Sequence, residues 1–291
     1  MRLAFLGTPD AAVASLRALV EHGHEVVSVI TRPDRRRGRG SGLSASPVKE
    51  AAQDLGLRVG HAIKELDGLD VEMGVVVAYG AMIPAALLER TAMLNVHFSI
   101  LPRWRGAAPV ERAILAGDRE TGVSVMSLEP TLDTGPVHLV RCTLVDEKTS
   151  GQLTSELAAL GAEALVEVLD STALLSSPRA QVGEATYAAK LDKVTFHLVP
   201  TMDADLLART VRLERAFTFV GATRLRVVGA RSQVHSTHEP GTVIFEDAHV
   251  VLVANEGALV LERVQPEGAR PMSALEWWKG ARLVSGAASW T

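Results

Sequence analysis

In the run "AMLNVHF" two polar side chains, Asn95 and His97, interrupt an otherwise apolar stretch. In a strand the side-chain period is two, so both point to the same face. An amide and an imidazole aimed at one point can hold a carbonyl oxygen while it becomes an oxyanion. Two satisfied polar residues at a strand end are the plainer alternative, and the pair alone does not decide between them. Asp133 stands further on, in "TLDTGP". A carboxylate beside an imidazole fixes its tautomer and favours its charged form; a turn-forming Asp is the competing reading. "DTG" is also an aspartic-protease signature, but those enzymes pair two such carboxylates on an all-β frame. Here there is one, in an α/β setting.

The stretch "RPDRRRGRG", from Arg32 to Gly40, carries five arginines, among them Arg35, Arg36, Arg37 and Arg39. Between glycines, such a loop can clamp phosphates or stand solvated on the surface. It matches neither a dinucleotide fingerprint nor a phosphate-cradling Walker loop, and "GTPD" after the first strand has a single glycine. "SPVK" fits Ser-x-x-Lys, but Ser46 before Pro47 is better explained as a helix cap. His235 and His238 in "HSTH" lack a third metal ligand. No Gly-x-Ser-x-Gly elbow is present, and no metal is expected.

The elements that must hold these groups alternate. "RLAFLG", "EVVSVI", "MGVVVAYG" and "AMLNVHF" read as strands, with helices between them. The first helix is expected to start with Thr8 as cap and Pro9 at its first position. This order predicts an α/β fold, a Rossmann-like doubly wound and mostly parallel sheet. Such sheets bind ligands at the carboxyl ends of their strands, where Asn95 and His97 fall. "GVSVMSLEP" and "GPVHLVRCTL" predict an appended antiparallel hairpin. Thr149 and Gln152 predict a capping box, and Leu153, Leu157, Leu160 and Ala164 an apolar helix face behind it. Periodicity lapses over 176–195, expected as a linker between a catalytic domain at 1–175 and a domain at 196–291. From Thr223 short alternating runs predict a small, OB-like β-barrel, closed by the helix "SALEWWKGARL".

With 291 residues, 47% of them hydrophobic, and a net charge of −4, two folded domains are affordable and a uniformly basic surface is not. The single cysteine, Cys142, excludes a disulfide framework and is expected as a small buried hydrophobe. The first apolar run is too short for a signal peptide, and no long apolar run follows. A cytoplasmic protein without membrane contact is expected.

Taken in order, "GTPD", "TRPDRRRGRG", "SPVK", "VVVAYG", "NVHFSILPRWRGAAPVERAILAGDRETGVSVM" and "LDTGP" resemble the methionyl-tRNA formyltransferase family of folate-dependent formyltransferases. The likeness covers essentially 1–190, and "YAAKL" and "VQPEGARPMSALEWWKGARL" carry it into the second domain. The resemblance implies transfer of a formyl group from 10-formyltetrahydrofolate to the α-amine of methionyl initiator tRNA. It implies that Asn95, His97 and Asp133 form the reaction centre and that Ser99, Ile100, Leu101 and Pro102 form a folate-binding turn. It also implies that the basic loop, with Arg35, Arg36, Arg37 and Arg39, faces tRNA, that the β-barrel binds tRNA, and that the protein acts as a monomer. Two other readings remain at this point: the same chemistry on a small amine, such as an amino sugar nucleotide or glycinamide ribonucleotide, and a catalytically idle RNA-binding protein of this fold.

Overall fold

The computed structural model describes residues 1–36, 42–234 and 236–291. The chain divides into two units. The first comprises Met1–Val110, Arg119–Leu144 and Leu153–Ala189; the second comprises Glu111–Asp118, Val145–Gln152 and Lys190–Thr291.

Seven strands build the sheet of the first unit: β1 (Arg2–Gly7), β2 (Glu25–Ile30), β3 (Val59–Gly60), β4 (Met73–Val77), β5 (Met93–His97), β6 (Glu120–Ser127) and β7 (Val137–Leu144). Their order is β7-β6-β5-β4-β1-β2-β3. The five strands from β5 to β3 run parallel, and β6 and β7 add on antiparallel. Both expectations, the doubly wound sheet and the appended hairpin, hold. Leu3, Ala4, Phe5 and Leu6 are fully buried in succession, as a strand covered on both faces requires. The chain moves outward from β1 to β2 and β3, then returns to β4 on the other side of β1. β5 lies one strand beyond this reversal and opens its carboxyl end beside it.

Helix α1 (Val13–Glu21) begins later than the sequence suggests. Asp10–Ala12 form a 3-10 turn first, and Thr8 caps nothing. Its hydroxyl instead donates to the Tyr79 carbonyl at 3.1 Å and accepts from the Arg32 amide at 3.4 Å, tying together the segments that leave β1, β2 and β4. At α2 (Pro47–Asp54) the Ser46 hydroxyl accepts from Lys49 N at 3.0 Å, the expected cap. α3 (Ser150–Asp170) starts with the expected reciprocal pair between Thr149 and Gln152 and buries Leu153, Leu157 and Ala164 of the expected face, while Leu160 is half-buried. A β-carbon at Gly161 would lie 2.6 Å from Val96 Cγ1, so this glycine sets how closely α3 approaches β5.

Cys142 is exposed, contrary to expectation. β7 is the edge strand, and its last residues alternate toward solvent. Partial desolvation, then the Glu120 carboxylate, push the thiol upward and disfavour thiolate.

In the second unit β8 (Phe217–Val220), β9 (Thr223–Gln233), β10 (Thr242–Glu246), β11 (His249–Val253), β12 (Ala258–Pro266) and β13 (Ala288–Ser289) run in the order β8-β9-β12-β11-β10-β13. The two ends of this order meet. Phe219 and Thr291 exchange amide-to-carbonyl bonds of 3.0 Å, and Gly221 N donates to Ser289 O. The sheet therefore closes into the expected small barrel and leaves few unpaired edges. Leu225, Val227, Val243, Leu252, Leu259, Leu261, Trp277 and Trp290 fill it. Helix α4 (Ala204–Val211) is capped by Asp203, and α5 (Ala274–Ala281) by a Ser273–Glu276 box. Among the described residues no helix is long and apolar enough to cross a membrane.

Candidate active site

β5 ends the parallel part of the sheet, with Asn95 opposite Val76 of β4 and Met126 of β6, and His97 opposite Ser124. Asn95 and His97 lie on one face at the carboxyl end, 9% and 6% exposed. Asp133 arrives from the loop between β6 and β7, 7% exposed, with a left-handed φ of +50°. Its Oδ2 stands 3.6 Å from His97 Nδ1 and accepts from the Gly106 amide at 2.8 Å. The structure thus brings together an imidazole and a carboxylate that stand far apart in the chain.

The tautomer of His97 is held from the opposite side to the one expected. Its Nε2 lies 2.8 Å from the Trp104 carbonyl. A carbonyl only accepts, so Nε2 carries a proton and donates it there. Nδ1 is left facing Asp133. It accepts when the ring is neutral and donates only when the ring is charged.

The turn from Ser99 to Pro102 follows directly, with Ser99 and Leu101 buried and the Leu101–Pro102 bond cis. Ser124 of β6 braces it: its buried hydroxyl donates to Ser99 O at 2.8 Å and accepts from Leu101 N at 3.1 Å. Ser99 Oγ donates to Arg103 O at 2.5 Å. Trp104 has φ of +60°, donates its amide to Thr186 Oγ1 at 2.9 Å, and lies under the Arg103 guanidinium at 4.5 Å. Its backbone carbonyl braces the reaction face. Ser124 and Thr186 left no signal in the sequence, because a lone hydroxyl in a strand or loop is not distinctive. Their partners lie 23 to 82 positions away.

Arg35 and Arg36 form a two-residue pair with Leu43–Ser44, and both arginines are exposed. Arg37 and Arg39 lie outside the described residues, as does His235. His238 sits 4.0 Å from Glu246, and no group of three metal-ligating side chains occurs among the described residues.

The model of the family "Formyl transferase" matches residues 1–169, and that of "Formyl transferase, C-terminal domain" matches residues 203–282. A protein of Methylobacterium nodulans named methionyl-tRNA formyltransferase is 41% identical over 309 residues, covering 99% of this chain and 98% of that one. Two solved structures share the fold. The methionyl-tRNA formyltransferase from Clostridium thermocellum has a TM-score of 0.55 at 17% identity and covers 79% of this chain and 92% of that one. HypX from Aquifex aeolicus, solved with tetrahydrofolic acid, has a TM-score of 0.66 at 17% identity. It covers 96% of this chain, which spans about half of HypX, 47%. With one family model matched over more than half the chain and a 41% identical relative aligned along nearly all of it, the chain belongs to the methionyl-tRNA formyltransferase family.

Proposed function

We propose that this chain transfers the formyl group of 10-formyltetrahydrofolate to the α-amine of methionyl initiator tRNA, acting as a monomer in the cytoplasm. The observation that carries the reading is the 3.6 Å between His97 Nδ1 and Asp133 Oδ2, both buried, at the carboxyl end of the strand that also carries buried Asn95 two residues before His97. Two polar donors and one carboxylate are the set that acyl transfer to an amine needs. The donors stabilise the oxygen on which charge develops, and the carboxylate takes the proton the amine sheds.

When bound, the folate supplies a formyl group on nitrogen, and it keeps that nitrogen when the carbon–nitrogen bond breaks. The chain's residues do the rest. Asn95 donates its amide N–H to the formyl oxygen. His97, with Nε2–H committed to Trp104, offers Nδ1–H to that oxygen in its charged form. Asp133 takes the proton from the attacking amine, directly or through water, and that proton ends on the departing nitrogen. A free α-amine has a pKa of about 7.7–8.0, and its ester should lower this further, so much of the nucleophile is already neutral. No covalent nucleophile is required.

The turn Ser99–Pro102 would hold the folate. Its backbone is fixed by Ser124, and a pocket that positions a rigid ring needs such a fixed wall. Exposed Arg35 and Arg36, together with Arg37 and Arg39, which follow them in the sequence, would meet the phosphates of the tRNA acceptor end, and the second unit would bind the tRNA body. The name and near-complete alignment of the Methylobacterium nodulans relative support tRNA as acceptor; the tetrahydrofolic acid of HypX supports a folate donor. The test compares formyl transfer to methionyl initiator tRNA with transfer to glycinamide ribonucleotide and an amino sugar nucleotide. Transfer to the tRNA should dominate kcat/KM. Efficient transfer to a small amine with none to the tRNA would overturn the proposal.

A further inference from the structure

Residues 179–188 have no periodicity, yet the fold pins them at both ends. Arg179 and Val137 exchange backbone bonds of 2.7 and 2.8 Å. Thr186 O accepts from Arg105 N at 2.9 Å, and Ala188 O accepts from Ala107 N at 2.9 Å. Tyr187–Ala188 pair in parallel with Arg105–Gly106. Between these anchors stands Gln181. Its Nε2 donates to two carbonyls of the Asp133 loop, Asp133 O and Gly135 O, each at 2.9 Å. Its Oε1 accepts from Arg105 Nε at 3.1 Å and Arg105 Nη2 at 2.6 Å. Both amide hydrogens and both lone pairs are thereby used.

We infer that Gln181 is a positioning residue that clamps the Asp133 loop to the Trp104–Gly106 turn and so sets the Asp133–His97 distance; the inference rests on the proposed role of that pair. The two segments Gln181 joins are the ones that hold the pair. One is Asp133 itself. The other carries the Trp104 carbonyl that receives His97 Nε2–H and the Gly106 amide that donates to Asp133 Oδ2. Asp133 adopts a left-handed backbone, which a non-glycine residue keeps only where its surroundings enforce it. Gln181 grips its carbonyl while Gly106 grips its carboxylate. A misplacement of about 1 Å at a reacting group costs on the order of 100-fold in rate, so a clamp that touches no substrate still governs turnover.

Gln181→Glu separates the two halves of the clamp. It keeps an acceptor for Arg105, loses both donors, and sets a carboxylate oxygen against two carbonyls. Among the described residues, Gln181 bonds one charged side chain, Arg105, on that oxygen, and it faces the backbone of Asp133. Protonating the introduced carboxylate restores one donor. Gln181→Met keeps the shape and makes none of the bonds. In both variants kcat should fall about 10- to 100-fold, with KM for each substrate within about twofold, as expected when an interaction made only in the transition state is lost. The ratio of Gln181→Glu to wild-type activity should rise as pH is lowered toward the glutamate range, about 4.3; that of Gln181→Met should stay flat. Unchanged kcat in either variant, or a flat Gln181→Glu ratio, would overturn the clamp. Should Gln181→Glu fail to fold, kcat of Gln181→Met decides. Asp133→Asn is measured alongside. Full activity in that variant sinks the proposed role of the pair, whereas loss there with normal Gln181 variants sinks the clamp alone.

Discussion

Asp133 is held by three neighbours, each with a different consequence. Gly106 N–H on its Oδ2 and His97 Nδ1 nearby make it a poised acceptor, and Gln181 holds its carbonyl. Asp133→Asn, nearly isosteric, should keep the fold and lower kcat about 100- to 10,000-fold, the span for a lost general base; a rapid-mixing formylation assay reads this directly. Gly106 has φ of +116°, and a β-carbon there would stand 2.9 Å from Ala188 O. Gly106→Ala should displace the amide that Asp133 accepts from, destabilise the protein by about 1–3 kcal/mol and reduce turnover. Chemical denaturation and the same assay check both effects. Asn95, His97 and Asp133 stood out in the sequence as polar groups in an apolar strand and on a tight loop, but local pattern left their roles open, and only the family resemblance grouped them. Their supports did not stand out. Nothing local to Trp104 announces that its carbonyl receives the His97 proton, and nothing local to Gln181 announces four bonds to two distant segments.

Elements showed themselves where periodicity and caps agree. β1, β4 and β5 are apolar runs of strand length, Ser46 caps α2, and Thr149 with Gln152 opens α3. They were misread where tertiary partners overrode local preference. Thr8 is drawn to Tyr79 and Arg32. Cys142 has the type of a core residue, but edge position decides exposure, and edge position depends on sheet order, which no local pattern encodes. The aperiodic run over 179–188 becomes a strap because its backbone finds partners in 105–107 and at 137. At this scale Gly161 is the informative probe. Gly161→Ala on α3 would drive a methyl into Val96, which lies between Asn95 and His97 on β5. Overpacking of this kind costs about 1–3 kcal/mol, and the strain falls on the strand that carries the reaction face. Thermal unfolding should report the lost stability, and kcat should fall without any group at the site having been changed.

Across the whole molecule, the α/β sheet and the small barrel were both visible as fold types, because helix-alternating strands give way to short alternating runs from Thr223 onward. Global stability also depends on the buried His24. His24 is 8% exposed, and burial holds its pKa below the ordinary value. The nearby N-terminal amine acts in the same direction, while Asp170, 3.4 Å from Nε2, acts against them and loses. The unfolded chain therefore binds this proton more readily than the folded one. Stability from His24 is complete above the unfolded value of about 6.5 and is lost as pH falls below it. Denaturation midpoints measured across that window should drop toward acid, and His24→Gln should flatten the slope; a wild-type slope retained in that variant would contradict the assignment.

Single-turnover formylation of methionyl initiator tRNA by Asn95→Ala, with folding verified by its melting curve, bears most directly on the reaction centre. Loss of one oxyanion donor predicts a rate about 100- to 1000-fold below wild type. A well-folded Asn95→Ala protein that formylates at the wild-type rate would contradict it.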